Sequence, residues 1–306
     1  MLGFLPAPLK GLLSATLFGL NVVFWCLILY PIALVKMLVP PARSWADRMM
    51  TGIGERWIAF NVANANLTQK IRWDVQIDLN GGPPLRRDAS YLVIANHMAW
   101  SDIVVLQQVF NRKIPFLKFF LKKQLLYVPL LGWAWWALDF PFMKRYSRSY
   151  LEKHPEKRGE DLATTRKACA RFKGSKISIL NFLEGTRFTA AKHASQRSPF
   201  KHLLMPKAGG VAFVLEAMGD QFDSLLDVTI HYPGGVQSLW GMLSGKLTEI
   251  VVRIKQVPIP REVLGGNYLD DSAFRERMQA WVTELWRAKD QLISQLEAGH
   301  RNPTAS

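Results

Sequence analysis

A histidine and an aspartate that could act as a general base stand five positions apart in the segment NHMAWSD, as His97 and Asp102. His97 follows the apolar run YLVIA, which predicts a strand at 91–95, and a helix is predicted at 101–110. Residues five apart lie on different faces of a helix, so the two side chains meet only if the chain turns between them. The carboxylate then orients one imidazole nitrogen and leaves the other free to accept a proton. The alternatives are helix capping by Asp102 and an ordinary loop role for His97.

A second group of residues has the chemistry to bind a phosphate. Glu184, Gly185, Thr186 and Arg187 follow the apolar run SILNFL, which is typical of a strand. The guanidinium carries a planar set of donors that matches a phosphate, the threonine adds a hydroxyl, and the glycine lets the backbone come close. Taken alone, these four residues could equally form a surface turn.

Together, the two segments resemble a known family. NHMAWSD and FLEGTRF are similar to the first and third motifs of the glycerolipid acyltransferases, enzymes that acylate lysophosphatidic acid and other lysophospholipids. The family's second motif, Gly-x-x-Phe-Ile-x-Arg, is matched less well at 139–145, because Asp139 replaces the glycine while Arg145 matches. Its fourth motif, an apolar stretch that ends in proline, corresponds to 203–206. The surrounding runs resemble the branch that includes bacterial membrane-bound members, and the short length favours that side.

The resemblance implies a reaction in which a fatty acyl group moves from a thioester to the sn-2 hydroxyl of lysophosphatidic acid, giving phosphatidic acid. Lysophosphatidylglycerol, lysophosphatidylinositol or lysocardiolipin is the alternative acceptor. His97 would deprotonate the hydroxyl, with Asp102 orienting the imidazole. The residues implied in substrate binding are Glu184, Gly185, Thr186 and Arg187 around the glycerol phosphate, Arg145 beside them, and Pro206 in the acyl pocket.

The resemblance also implies the second substrate. It would be acyl-CoA or an acyl carrier protein, and no metal or other cofactor is expected. A covalent acyl-enzyme is not expected, because the chain has no Gly-x-Ser-x-Gly segment and neither Cys26 nor Cys169 stands in an evident nucleophile site. No cluster of cysteine and histidine has the spacing of a zinc site.

Near the start of the chain, residues 11–35 form a run of 25 residues without a charge. Since ~20 apolar residues suffice to cross a bilayer, the run predicts a transmembrane helix, with a re-entrant hairpin bent at the prolines between 31 and 41 as the alternative. More basic residues follow the run than precede it, so the rest of the chain is expected on the cytoplasmic side. With the bacterial resemblance, the expected location is the bacterial inner membrane.

The remaining pattern predicts an α/β fold, a mixed sheet flanked by helices. We expect a membrane anchor and interfacial helix at 1–68 and an acyltransferase α/β domain at 69–306. The strands are predicted at 71–77, 91–95, 114–119, 139–143, 177–182, 226–231 and 248–257. The helices are predicted at 44–68, 101–110, 158–173, 208–218 and 272–298.

Composition adds a preference for anionic partners. The chain of 306 residues is 49% hydrophobic and carries a net charge of +15, while 21% charged residues is a globular value that excludes full disorder. The basic stretches 111–123 and 144–173 suit a lipid surface, CoA phosphates or an acidic carrier protein, or else form a solvated helix face. The tryptophans of 119–143 suit either a bilayer interface or core packing. Nucleic-acid binding is the competing function, but no RRM, KH or zinc pattern is present.

Overall fold

The computed structural model describes residues 2, 4–143, 154, 160–172 and 174–301, with the side chains of 160–162 and 301 left out. Arg145, which the sequence predicts to bind phosphate, lies outside the described residues. So does much of the basic stretch 144–173.

A mixed six-stranded sheet forms the centre of the described structure and confirms the predicted fold class. In chain order the strands are β1 (Arg72–Asp78), β2 (Tyr91–Ala95), β3 (Leu117–Phe119), β4 (Leu121–Lys122), β5 (Phe142–Met143), β6 (Ser178–Phe182), β7 (Ser224–His231) and β8 (Glu249–Val257). The spatial order is β1-β8-β7-β2-β6-β3, and every neighbouring pair is parallel except β7 with β8. The two short strands β4 and β5 pair separately.

Helices cover both faces of this sheet. They are α1 (Ala7–Leu38), α2 (Arg43–Thr68), α3 (Ser101–Phe110), α4 (Leu131–Ala137), α5 (Glu160–Ala170), α6 (Ala190–Gln196), α7 (Ala208–Met218), α8 (Leu239–Leu243) and α9 (Ser272–Arg301). The last helix, α9, illustrates how the helices pack against the sheet. Its buried residues recur about every turn, at Phe274, Met278, Val282 and Trp286, and form one apolar stripe against the domain.

The strand β2 divides the core into two layers. All five of its residues are buried, as expected for a central strand covered on both faces. Because side chains alternate along a strand, Val93 and Ala95 join one apolar cluster, while Leu92 and Ile94 join the other. The first cluster contains residues of α1, α2 and α3, and the second contains residues of α7 and α9.

The N-terminal region is a helical hairpin formed by α1 and α2. The chain reverses in the short 3₁₀ turn Pro40–Ala42, and Pro31 stays inside a continuous α1. Polar contacts in antiparallel register join the two helices: Asn21 Nδ2 donates to Asn61 Oδ1 at 2.8 Å, and Asn64 Nδ2 donates to the Ser14 carbonyl at 3.1 Å. In the described part of the chain, α1 is the one helix long and apolar enough to cross a membrane, judged by length and composition.

The hairpin is attached to the sheet domain along its length. Near the start of α1, Gly11 lies against the Trp240 ring, so closely that a Cβ atom would come within 2.8 Å of it. Further along, the Tyr30 hydroxyl donates to the Leu130 carbonyl at 2.6 Å, and Lys36 pairs with Asp139 at 2.5 Å. The hairpin and the sheet therefore share one apolar core.

The structure of the segment 119–143 differs from the structure that its sequence predicts. The predicted strand at 139–143 is reduced to β5, because Asp139 has a left-handed φ of 57° and Pro141 lacks an N–H group. The three tryptophans of this segment differ in exposure, so core packing and exposure at a surface each apply to some of them. Trp135 packs against the core, whereas Trp133 is 65% exposed and Trp136 is 40% exposed.

Candidate active site

Three neighbouring parallel strands end at one edge of the sheet, and each delivers a polar side chain there. His97 stands two residues after β2, Glu184 two residues after β6, and Tyr232 directly after β7. Asn96 fixes the spacing of two of these ends, since its side chain accepts from the Ile230 N–H at 2.8 Å and donates to the Ile230 carbonyl at 2.9 Å. The residues that could do chemistry are thus positioned by the sheet.

The structure brings His97 and Asp102 into direct contact. His97 Nδ1 lies 2.8 Å from Asp102 Oδ2, across a turn that leads into α3. The same oxygen accepts from the backbone N–H groups of Met98 at 2.6 Å and Ala99 at 2.8 Å, and Oδ1 accepts from the Tyr232 hydroxyl at 2.6 Å. Asp102 is completely buried, and these donors offset the cost of removing its carboxylate from water.

The imidazole of His97 is held with one nitrogen directed to the partly exposed surface beside His97 and Arg187, which we call the cleft. Its ring stacks on Phe182, with the ring centroids 4.0 Å apart, and its side chain is 16% exposed. Because Asp102 accepts from Nδ1, the lone pair is on Nε2. Within the described residues, Nε2 has no hydrogen-bond partner, so it is available to take a proton.

Glu184 lies below the cleft instead of lining it. Its Oε1 accepts from the His97 N–H at 2.8 Å, and its Oε2 accepts from the Leu204 N–H at 3.0 Å. The carboxyl group is completely buried, and burial raises its pKa to about 7, although the two backbone donors counteract part of that rise. In this arrangement Glu184 holds the backbone of the candidate base.

A cluster of donors stands next to His97. Gly185 has a left-handed φ of 68°, a conformation that favours glycine, and it turns the chain towards the cleft. Lys192 Nζ donates to Thr186 Oγ1 at 2.7 Å and to the Arg187 carbonyl at 2.9 Å. The Arg187 guanidinium carbon lies 4.3 Å from the centre of the Trp100 ring. Two cations and a hydroxyl therefore lie on one short segment, 186–192, and this set of donors suits a phosphate.

Three residues of this site escape prediction from the sequence. Tyr232 is 130 positions away from the aspartate it contacts, and only its place after a strand marks it. Phe182 is part of an apolar strand, where an aromatic residue gives no sign of a stacking role. Lys192 stands in the first turn of α6, three residues after Thr189, whose side chain caps that helix.

An apolar cavity of about 330 Å³ lies between the hairpin and the sheet. Trp100 lines it, so one side chain touches both this cavity and the Arg187 guanidinium. Pro206, predicted to shape an acyl pocket, does not line it. That proline is buried beside α9, where its carbonyl accepts from Gln279 Nε2 at 3.1 Å. The cavity walls include Phe18, Trp57, Phe119, Phe140 and Leu239.

Comparison with known proteins identifies the family. Residues 76–232, just over half of the chain, match the family model described as Acyltransferase. The chain belongs to the acyltransferase family. The match contains His97, Asp102 and the segment 184–187, and it ends at Tyr232. Among the described residues of this acyltransferase, no group of three or more His, Cys, Asp or Glu side chains could hold a metal ion.

Individual relatives agree with that assignment. The 1-acyl-sn-glycerol-3-phosphate acyltransferase gamma of Homo sapiens is 31% identical over 183 residues, which are 56% of this chain and 43% of the relative. The delta protein of Mus musculus is 26% identical over 180 residues, or 55% of this chain and 42% of the relative. The acyltransferase thus spans less than half the length of these curated relatives.

A solved structure shares the fold. It is the 1-acyl-sn-glycerophosphate (LPA) acyltransferase PlsC from Thermotoga maritima, which matches with a TM-score of 0.50 and 17% sequence identity. The match covers 90% of this chain and 95% of that chain.

Proposed function

We propose that this acyltransferase moves a fatty acyl group from an acyl thioester to the sn-2 hydroxyl of lysophosphatidic acid, producing phosphatidic acid. The observation that carries the proposal is the 2.8 Å contact between His97 Nδ1 and Asp102 Oδ2, with Arg187 close by. The names of the relatives support this acceptor. Other lysophospholipids, namely lysophosphatidylglycerol, lysophosphatidylinositol and lysocardiolipin, are the alternative acceptors, and acyl-CoA or acyl carrier protein is the donor.

The reaction proceeds in one direct transfer. His97 Nε2 takes the proton of the acceptor hydroxyl, whose oxygen forms a bond to the thioester carbonyl carbon. The tetrahedral species then collapses, the carbon–sulfur bond breaks, and the leaving thiolate takes the proton from the imidazolium. An ester and a free thiol result. Asp102 keeps the productive tautomer and stabilises the imidazolium while it exists.

The donor cluster binds the acceptor in this proposal. Arg187 offers paired N–H donors to the phosphate, while Lys192 adds a second positive charge and orients Thr186. Gly185 gives the turn its left-handed geometry. Glu184 acts as a positioning residue, since it touches the backbone of His97 and is sealed from the cleft. A phosphate contact from Arg145 stays a prediction.

In this proposal the apolar cavity binds the fatty acyl chain of the thioester donor. Its volume of about 330 Å³ is within the usual range for ligand pockets, and its lining is almost entirely apolar. Trp100 lines the cavity and also lies against Arg187, which supports a thioester carbonyl held between the two.

Membrane association is also part of the proposal. The outer face of the hairpin exposes large apolar side chains, such as Leu12, Leu20 and Leu27 on α1 and Phe60 on α2. Because the sheet domain is attached to α1 at both ends, α1 lies at the same depth as the domain. This arrangement favours a hairpin in one leaflet over a spanning helix. We place it on the cytoplasmic face of a bacterial inner membrane.

The direct test is His97→Ala, assayed with purified protein in detergent. Acylation of lysophosphatidic acid should fall by a factor of about 10³ or more, because the reaction loses its base. The other lysophospholipids and both donor types are run in parallel. The matched control is His300→Ala, an exposed histidine near the end of α9 that pairs with Glu249 at the start of β8. Full activity in His97→Ala would show that the base is assigned wrongly.

A further inference from the structure

Two adjoining cavities form a single groove outside the site described above. Their volumes are about 590 Å³ and about 360 Å³, and both are lined by Trp136, Asp139 and Arg171. Neither His97 nor Arg187 lines them. We call this region the basic groove, because its cationic residues are Lys36, Arg43, Lys123, Lys167 and Arg171.

The positive charge of the basic groove is not neutralised within the described structure. Among the described residues that line it, Asp139 is the one acid, and it pairs with Lys36 at 2.5 Å. Lys36 also pairs with Asp47 at 2.7 Å. The side chains of the other four cations form no hydrogen bond or ion pair with the described residues. A concave surface with several unpaired cations attracts and concentrates anions.

The rim of the basic groove is apolar and exposed. Met37, which lines the groove near the end of α1, is 61% exposed, and Trp136, which lines both cavities, is 40% exposed. Trp133 projects from α4, one turn from Trp136, with the two ring centroids 6.3 Å apart. Tryptophans next to lysine and arginine are characteristic of the level where lipid headgroups meet the acyl chains.

We propose that the basic groove binds the phosphate of an anionic phospholipid in the bilayer, at a site separate from the one where the acceptor reacts. The inference rests on the proposed membrane association and is independent of acyl transfer. The phosphates of a soluble CoA molecule carry the same charge. The exposed tryptophans and the end of the hairpin favour the lipid, because a soluble ligand needs no such rim.

The test measures flotation of the full chain with vesicles of phosphatidylcholine, with or without added phosphatidylglycerol. The groove variant is Arg43→Glu with Arg171→Glu. The control, Lys201→Glu with Arg261→Glu, makes the same charge change at exposed positions outside the groove. Wild type and control should prefer anionic vesicles, and the groove variant should lose that preference by roughly tenfold or more. High salt should reduce the difference.

Circular dichroism melts first establish that all variants are folded. A groove variant that binds anionic vesicles as tightly as wild type overturns the proposal. The proposal is also overturned if CoA displaces the wild type from anionic vesicles but leaves the groove variant unaffected. The groove would then bind the phosphates of the donor. If wild type binds neither vesicle, the membrane association fails together with the groove. His97→Ala should bind both vesicles like wild type, which separates this result from any failure of the acyltransferase assignment.

Discussion

Tyr232 is the residue that completes the surroundings of Asp102. Its hydroxyl donates to Oδ1 at 2.6 Å and lies 2.8 Å from the Ser101 hydroxyl, so a short buried network supports the carboxylate. Tyr232 contacts no reacting atom, and its effect must pass through Asp102 to His97.

We therefore predict that Tyr232→Phe lowers kcat roughly tenfold while changing the acceptor KM little. The loss of one hydrogen bond to a buried carboxylate costs about 1–3 kcal/mol, and the same amount should appear in the stability. Steady-state kinetics and thermal melts provide the two measurements. A change confined to KM would mean that Tyr232 binds the acceptor.

The raised pKa of Glu184 predicts that the stability of the protein depends on pH. Burial raises its pKa from the ordinary 4.5 to about 7, so the folded protein keeps a proton that the unfolded chain releases. The contribution of Glu184 to stability should therefore be fully present below pH 4.5 and be lost as the pH rises through about 7. Glu184→Gln should flatten this part of the curve, as measured by urea unfolding in detergent at pH 5 and pH 8. The exposed Glu262→Gln is the control, and parallel curves for all three proteins would contradict the prediction.

At the scale of elements, hydrophobic periodicity predicts the bounds of a helix or strand correctly where a single local pattern determines that element. The helices at 101–110 and 208–218 and the strand at 91–95 have the predicted bounds. The strand expected at 114–119 begins only at Leu117, because Pro115 has no N–H for the ladder. No local pattern could show that α2 returns along α1, since that contact depends on residues 40 positions apart, such as Asn21 and Asn61.

Asp139 connects two elements and gives an element-scale prediction. It has a left-handed φ of 57°, and its carboxylate pairs with Lys36 at the end of α1. Asp139→Ala should destabilise the protein by about 2 kcal/mol, because it loses the ion pair and because alanine adopts a left-handed backbone less readily than aspartate does. Asp139→Gly should cost less, because it loses the same ion pair while glycine adopts the left-handed conformation without strain. Thermal melts compare the two, and equal losses would show that the backbone conformation contributes nothing.

At the scale of the whole molecule, the sequence predicts the contact between His97 and Asp102 but not the residues that join them from distant parts of the chain. The spacing within the motifs is distinctive for His97, Asp102 and the segment 184–187, so similarity to a family is enough to identify them. Lys192 and Tyr232 reach the site through the tertiary fold, so their residue types alone carry no signal. The division of labour within 184–187, with Glu184 below the cleft and Arg187 in it, likewise depends on which way each side chain faces at the sheet edge.

The attachment of α1 predicts the topology of the whole molecule in a membrane. Phe4→Cys and Leu38→Cys place single reporters at exposed positions at the two ends of α1, while Cys26 and Cys169 are buried. If the hairpin lies in the cytoplasmic leaflet, an impermeant maleimide should label neither reporter from outside intact cells. Lysed cells, in which both reporters become labelled, provide the control. Labelling of one end from outside would show that α1 spans the bilayer.

The shared core of hairpin and sheet also limits how this protein can be shortened. Phe18 and Val22 of α1 and Trp57 and Ile58 of α2 form a wall of the cavity assigned to the acyl chain. Removal of residues 1–68 would open that cavity to water and expose the apolar layer beneath β2. A soluble form is better sought by replacing outward-facing leucines of the hairpin with polar residues, because the hairpin proposed to hold the protein at the membrane also forms a wall of the proposed acyl pocket.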